Sequence, residues 1–509
     1  MIALSLARIA EIVGGRLTDI SAADAAATRV TGSVEFDSRQ VGPGGLFLAL
    51  PGARADGHDH AAAAVAAGAV AVLAARPVGV PAVVVPPVGP AGADRQAGVL
   101  EHDTDGSGAA VLAALAKLAG AVAAELVAGG LTIIGITGSS GKTSTKDLLA
   151  ALLAPLGQVV APPGSFNNEL GHPWTVLRAG ADTDYLILEM SARHPGNIAT
   201  LAAIAPPQIA VVLNVGTAHL GEFGSREAIA STKAELPQAV PASGVVVLNA
   251  DDSAVAAMAE TTAARVVRVS RTPRAGAAPA DVWAGPVGLD GLARPQFTLH
   301  AGDAAVEVTL GVHGDHQVSN ALCAAAVALE CGARPDQVAT ALAAARPASA
   351  HRMAVHTRAD GVTVIDDAYN ANPDSMRAGL QALAWIARGE GARPRRSWAV
   401  LGEMAELGED AITEHDAIGR LAVRLDVSRL VVVGTGRAMG AMHHGAVMEG
   451  SWGAESTQVA DADAALALLR AELQPGDAVL VKASNAAGLG ALAEALVADG
   501  DPTGGDARA

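Results

Sequence analysis

Residues 131–149 read LTIIGITGSSGKTSTKDLL, and the fold follows from how that stretch is parsed. Residues 131–136 are an apolar, β-branched run, Gly138, Ser139, Ser140 and Gly141 form a loop, and Lys142 and Thr143 open a segment with helical apolar spacing. The parse is strand, phosphate loop, helix. Glycines let backbone N–H groups approach phosphate oxygens, the helix N-terminus adds partial positive charge, the lysine is a mobile cation and the threonine hydroxyl can ligate Mg²⁺. A nucleoside triphosphate is the ligand this predicts. The full Walker spacing asks for a glycine six residues before the lysine, where this chain has Ile136, so the match is to the shorter Gly-x-x-Gly-Lys-Thr form.

Working outward, strand candidates QVVAP, YLILEM, IAVVLNV and GVVVLNA follow, with helical segments between most of them. That alternation predicts a mostly parallel sheet covered on both faces. Polar residues recur at the strand ends: Glu189, then Asn214 and His219, then Asn249, Asp251 and Asp252. Open α/β sheets bind ligands at that edge, so these residues are expected to converge on the loop. Residues 275–315 read as antiparallel hairpins, and the stretch beginning GVHGDHQVSNAL as a helix. Beyond Pro347 a third unit shows strands ending in VIDDAYNANP, VLGEMAELG, VVVGTG and VLVKASNAAG. Gly434-Thr435-Gly436 lacks the further glycine of a dinucleotide fingerprint and reads as a turn. The last twelve residues, ADGDPTGGDARA, read as disordered.

The first hundred residues contain short strands and an alanine helix. Ser38 and Arg39 follow one strand, and Arg54, Asp56 and His58 lie in a later loop. This is either a polar turn or a place where Ser38, Arg39 and Arg54 hold an anion such as a nucleotide diphosphate. A stretch rich in proline and glycine, residues 83–108, suggests a boundary.

At 509 residues about three domains are expected, with limits 1–104, 105–346 and 347–509. Half the residues are hydrophobic but aromatics are only 2%, so alanine and valine must fill the interior. A net charge of −17 argues against nucleic acid or an anionic membrane as partner. Cys323 and Cys331 lie eight apart in an alanine-rich helical stretch, a spacing used by neither zinc sites nor disulfide frameworks, which suits packed thiols in a reducing cytoplasm. MIALSLARIAEIVGG reads as an amphipathic helix ended by Gly14 and Gly15. Residues 109–128 are apolar but interrupted by Lys117 and Glu125, so no membrane span is expected, and the expected species is a monomer.

With a triphosphate at Lys142 and Thr143, Glu189 can ligate Mg²⁺ and His219 a second cation, the two neutralising charge on a transferred phosphoryl group. Lys233, in ASTKAEL, reads most simply as a solvated helix lysine. In the third unit Arg352 precedes a strand, and Asp366, Asp367, Tyr369, Asn370 and Asn372 crowd the turn after it. Lys482 and Ser484, at another strand end, could bind a carboxylate. Capping and turn chemistry is the plainer reading of both places.

Taken together, FDSR, TGSSGKTS, SFNNELGHP, LEMSARHPGNI, NVGTAHLGEFGSREAIASTKAEL, LNADD, GDHQVSNALCAA, IDDAYNANPDSM and VLGEMAELGEDAITEH resemble the Mur ligases, ATP-dependent amide-forming enzymes of peptidoglycan precursor synthesis. The likeness covers nearly the whole chain. It implies an α/β fold of three domains: a small α/β N-terminal domain, a central P-loop domain with a mostly parallel sheet, and a Rossmann-like C-terminal domain. SFNNELG, EMSARHPGNI and DDAYNANPDSM are similar to the family member that joins D-alanyl-D-alanine to a UDP-N-acetylmuramoyl-tripeptide. The Asp-Tyr-Ala-His turn of the sister enzyme that adds the third residue is not present.

The resemblance implies that ATP phosphorylates the tripeptide carboxylate and that the dipeptide amine attacks the acyl phosphate. Gly138, Ser139, Ser140, Gly141, Lys142, Thr143 and Ser144 would hold the triphosphate, Thr143, Glu189 and His219 the Mg²⁺ ions, two in number. Asn320 would contact adenine, and Arg352 and Asp367 would reach ATP from the third domain. Ser38 and Arg54 would lie on the uridine diphosphate. Asn167, Asn168, Ser191, His194 and Gly196 would line the muramoyl-peptide channel, and Tyr369, Asn370 and Asn372 would border the dipeptide. Lys233 matches a lysine carbamylated in several members, which would turn a cation into an oxygen ligand for the second Mg²⁺. Where relatives have Gly-Ser-Arg this chain has Ala483-Ser484-Asn485. A sister ligase adding one amino acid, or a P-loop phosphotransferase or ATPase, are the rival readings.

Overall fold

The computed structural model describes residues 1–89, 100–216, 223–272, 279–389, 394–450 and 455–500. Its largest sheet runs parallel through Val159–Val160, Tyr185–Glu189, Thr132–Thr137, Ile209–Val212, Val245–Asn249, Arg265–Ser270 and Val282–Ala284. Pro295–Ala301 then pairs antiparallel with Val282–Ala284, Gly288–Leu289 and Ala304–Thr309, giving the expected hairpins. Because successive strand side chains point to opposite faces, one β-branched run feeds two cores. Ile133, Leu186 and Val212 face the helices Ser107–Ala128, Asn197–Ile204 and Arg226–Ala239. Ile134, Ile136, Ile187 and Val211 face Lys142–Leu153, Gln317–Glu330 and Pro335–Ala344.

Two smaller sheets flank it, besides a two-stranded pairing of Leu4–Ser5 with Arg29–Val30. Arg16–Thr18, Ala82–Val84, Ala69–Ala74, Gly45–Leu48 and Val34–Glu35 form the first, antiparallel where Arg16–Thr18 meets Ala82–Val84 and parallel elsewhere. The other runs Ala354–Thr357, Thr363–Asp367, Ala478–Lys482, Ser397–Leu401, Arg429–Val433 and Ser456–Val459, antiparallel only at its first pair.

The helix Ser107–Ala128 joins the first two units. It runs 22 residues without a break and is long and apolar enough to cross a bilayer by length and composition, but 56% of its most apolar stretch is buried inside the protein, and Lys117 and Glu125 lie within the helix. Leu115, Leu118 and Val122 are fully buried, each worth roughly 1.5–3 kcal/mol, in a cluster that also holds Leu6, Ile9 and Val13 of the first helix. That first helix, Leu6–Val13, is capped by Ser5 and ends at Gly14, whose φ of 70° suits glycine.

At the C-terminus the helix Leu489–Ala498 extends into the stretch read as disordered, and Asp499 pairs with Arg470; residues 501–509 lie outside the described residues. Cys323 is buried in the Gln317–Glu330 helix and Cys331 half-buried at its end, both as free thiols.

Candidate active site

The phosphate loop sits where the sequence put it, between Thr132–Thr137 and Lys142–Leu153. Ile136 is fully buried in the strand, which is why this position carries a core side chain rather than the Walker glycine. Gly141 has a φ of +82°, and a Cβ there would come within 2.4 Å of the Asn320 Oδ1. The loop therefore requires glycine on two counts, backbone conformation and the close approach of Asn320. Alanines 321, 324 and 325 bring that helix close over the Leu148, Leu149 and Leu152 side of the loop helix. Loop shape is fixed from the next strand end: Ser139 N–H donates to the Asn214 carbonyl (3.1 Å), Ser140 N–H to Asn214 Oδ1 (3.0 Å).

Behind the loop a buried polar cluster forms. Thr143 Oγ1 lies 2.6 Å from Ser165 Oγ and donates to Glu189 Oε2 at 3.3 Å; Asn167 donates to the same oxygen at 3.3 Å. Glu189 is 1% exposed, and its Oε1 has no hydrogen-bond partner among the described residues. Burial raises its pKa, opposed by the nearby charges of Lys142, Lys146 and Arg352. The same burial lowers the pKa of Lys142, whose Nζ donates to the Gly138 carbonyl at 2.7 Å. A buried carboxylate with a free oxygen beside a threonine hydroxyl fits Mg²⁺. Mg²⁺ typically keeps several waters and takes one or two carboxylates plus substrate phosphates, and Glu189 with Thr143 would supply the protein's share.

The third domain reaches this cluster through Arg352. Its Nη2 donates to Ser165 Oγ (2.8 Å) and Thr143 Oγ1 (3.2 Å), and its guanidinium lies 4.2 Å from the Tyr369 ring centroid. His351 and Met353, on either side, have φ of 57° and 51°, unfavourable for these side chains and sustained by contacts. His351 Nδ1 lies 2.8 Å from Asp366 Oδ2, and Met353 N–H donates to Asp367 Oδ1 at 3.2 Å. The other Asp367 oxygen accepts from Lys482 Nζ at 2.5 Å, and that ammonium also donates to the Asn370 carbonyl.

These groups line one cleft of about 1220 Å³. Ser139, Ser140, Gly141, Lys142, Thr143, Ser144, Asn167, Asn168, Glu189, Ser191, His194, Asn320, Arg352, Asp367, Tyr369, Asn370 and Asn372 are all on its wall. Gly138 is not on the wall but holds Lys142 through its carbonyl. Gly196 instead donates its N–H to Glu235 at 2.6 Å. Ser38 and Arg54 do not line the cleft; Arg54 is exposed, and Arg39 is engaged bidentately by Asp37 in its own turn. The turn is nonetheless tied to the cleft wall: Phe36 packs against Phe166 and Trp174, and the Trp174 indole donates to the Val34 carbonyl at 2.8 Å. His219 lies outside the described residues.

Two readings are corrected. Lys233 is not a solvated helix lysine; it is 7% exposed, and burial, with Lys142 adding repulsion, pushes its pKa down to about 7. Lys482 and Ser484 do not present a carboxylate site: the ammonium is taken by Asp367, and Ser484 Oγ accepts from the Ala405 N–H at 2.9 Å. Sequence reasoning missed Ser165, which joins Thr143 to Arg352, and the buried Lys146, Asp147 and Ser349 beneath them; no local pattern marks a lone serine whose partners lie 22 and 187 residues away.

Comparisons with known proteins agree with this architecture. Residues 31–119 match the profile of the Mur ligase family catalytic domain, 136–328 the Mur ligase middle domain, and 351–485 the Mur ligase glutamate ligase domain. The chain is 79% identical to the UDP-N-acetylmuramoyl-tripeptide–D-alanyl-D-alanine ligase of Mycobacterium tuberculosis (strain ATCC 25618 / H37Rv), over 98% of each. It is 32% identical to the Escherichia coli (strain K12) ligase of the same name, over 85% of this chain and 86% of that one. Among solved structures it is similar to MurF from Acinetobacter baumannii (28% identity, TM-score 0.79, 97% of this chain and 99% of that one). It is also similar to the MurF ligase from Thermotoga maritima in complex with ADP (27% identity, TM-score 0.73, 92% and 98%). The chain belongs to the Mur ligase family.

Proposed function

We infer that this chain joins D-alanyl-D-alanine to UDP-N-acetylmuramoyl-tripeptide at the expense of ATP, releasing ADP and phosphate. The observation that carries the reading is identity of 79% along the full length with a ligase of that name, in a chain whose phosphate loop and third domain meet in one cleft.

A carboxylate at neutral pH is a poor electrophile with no usable leaving group, so it must first be activated. A carboxylate oxygen of the tripeptide attacks the γ-phosphorus of ATP, the bond to the β-phosphate oxygen breaks, and ADP leaves. The dipeptide amine then attacks the acyl carbon, and the tetrahedral species collapses to amide with loss of phosphate and a proton. Loop N–H groups and Lys142 would hold the triphosphate, Asn320 would contact adenine, and Arg352 would offer planar donors to the transferring phosphoryl oxygens. Thr143 and Glu189 would hold Mg²⁺, which supplies neutralisation of charge on those oxygens; His219 would belong to a second ion.

Lys233 is proposed to carry a carbamate. Its support is a buried amine with pKa brought to about 7, because CO₂ adds only to the neutral amine. Residues 1–104 with Ser38 and Arg54 are proposed to take the uridine diphosphate, the wall of Asn167, Asn168, Ser191, His194 and Gly196 the muramoyl peptide, and residues 347–509 with Tyr369, Asn370 and Asn372 the dipeptide. The test is mass spectrometry of products formed from ATP and the tripeptide with D-alanyl-D-alanine, D-alanine or diaminopimelate as acceptor. A pentapeptide product with the first alone is expected; a tetrapeptide product, or ATP hydrolysis indifferent to acceptor, would contradict the reading.

A further inference from the structure

Beneath the Thr143 cluster lies a second, largely buried polar layer to which the ligase chemistry assigns no direct role. Lys146 and Asp147 sit on the phosphate-loop helix, 2% and 9% exposed, with Nζ 2.6 Å from Oδ1. Lys146 also donates to the Pro162 carbonyl (2.8 Å), to Ser349 Oγ (3.0 Å) and to the Gly164 carbonyl (3.4 Å). Asp147 accepts the Ser349 N–H at 3.0 Å and its hydroxyl at 3.2 Å.

The two layers are built from the same three segments. The loop helix gives Lys146 and Asp147 below and Thr143 one turn above; the 162–165 turn gives Gly164 below and Ser165 above; the linker into the third domain gives Ser349 below and Arg352 above. Taking both charges out of water is costly, and an apolar pair of similar volume would serve stability as well or better. What the ion pair adds is a fixed register. It holds the linker against the helix at Ser349, three residues before an arginine flanked by two residues in unfavourable backbone conformations.

We propose that Lys146 and Asp147 are positioning residues for phosphoryl transfer: through Ser349 and the 162–165 turn they set Arg352 and Ser165 on the Thr143 hydroxyl. The proposal rests on the ligase reading above. Arg352 is the group that acts on the reacting phosphate, and the buried pair acts through it.

The test is a double-mutant cycle on the full chain, with ligation followed for wild type, Lys146→Met/Asp147→Leu, Arg352→Ala and the combination. Misplacing a reacting group by about 1 Å can cost roughly 10²-fold, so kcat should fall by about that factor in the buried-pair variant while KM for D-alanyl-D-alanine stays within about threefold. In the Arg352→Ala background the same substitution should change kcat by less than about threefold, since coupled residues are non-additive. Equal losses of kcat in both backgrounds, or wild-type kcat in the buried-pair variant, would overturn the proposal. Ser349→Ala, a smaller change that keeps the ion pair, must show the same coupling to Arg352 and settles the matter if the buried-pair variant does not fold. Wild type unable to ligate D-alanyl-D-alanine would instead sink the underlying ligase reading, so the two failures are distinct.

Discussion

Around Thr143 the cleft is held by buried and half-buried groups at short range, while around Arg193 it is held by a bridge half in water. The nucleotide end brings Thr143, Ser165, Asn167, Glu189 and Arg352 into one hydrogen-bonded cluster drawn from the central and third domains. At the outer end Arg193 of the central domain meets Glu406 of the third at 2.9 Å, with the two side chains 44% and 36% exposed. Arg193, His194, Asn370 and Glu406, all on the cleft wall there, are exposed. The difference matches two tasks. Phosphoryl transfer gains most from donors fixed before the substrate arrives, whereas a large nucleotide-sugar peptide and a dipeptide must enter and leave past side chains that can move.

If that contrast holds, substitutions should lose effect with distance from Thr143. Glu189→Gln keeps the shape but not the charge, and kcat/KM should fall by roughly 10²–10³-fold, with Mg²⁺ titration demanding higher concentrations; kinetics at varied Mg²⁺ checks both. Lys233→Ala should lose most activity and regain part of it with added short carboxylic acids. The sign of its pH dependence follows from a pKa lowered to about 7: the amine is protonated below that value and neutral above it. A ¹³C-carbamate signal in bicarbonate should therefore grow between pH 6 and pH 8, and a signal that is absent throughout would remove the second oxygen ligand. Arg193→Ala should matter least. A half-exposed ion pair contributes about 0.2–1 kcal/mol, so thermal stability should hardly move and KM for either peptide substrate should change by less than about fivefold. A loss comparable to that of Glu189→Gln would erase the distinction between the ends.

How much of this could be read from the sequence varied along the same axis. The strand–loop–helix at residues 131–149 and the polar strand ends were legible because period-two burial and a glycine loop are local patterns. Asn320, Arg352 and Asp367 were reached through resemblance and reach the cleft through helix packing and the linker. Ser165, Lys146, Asp147 and Ser349 were not legible, since what distinguishes them is partners on distant segments rather than spacing. Within the helix Ser107–Ala128, Lys117 reaches the Val13 carbonyl at 3.4 Å, a contact across 104 residues that the local pattern of residues 109–128 does not show. At the Ser38–Arg39 turn the sequence left a polar turn and an anion site both open; the structure adds that the Arg39 guanidinium pairs with Asp37 and holds that carboxyl down to about 2.

The central claim is that the rigid end and the open end work on one substrate, the tripeptide carboxylate being phosphorylated at Thr143's side of the cleft and attacked by an amine from the other. Ligation with tripeptide carrying ¹⁸O in its terminal carboxylate tests this directly. With both carboxylate oxygens labelled, the account predicts one ¹⁸O in each inorganic phosphate released, because the oxygen bridging carbon and phosphorus departs with the phosphate; phosphate without ¹⁸O would contradict it.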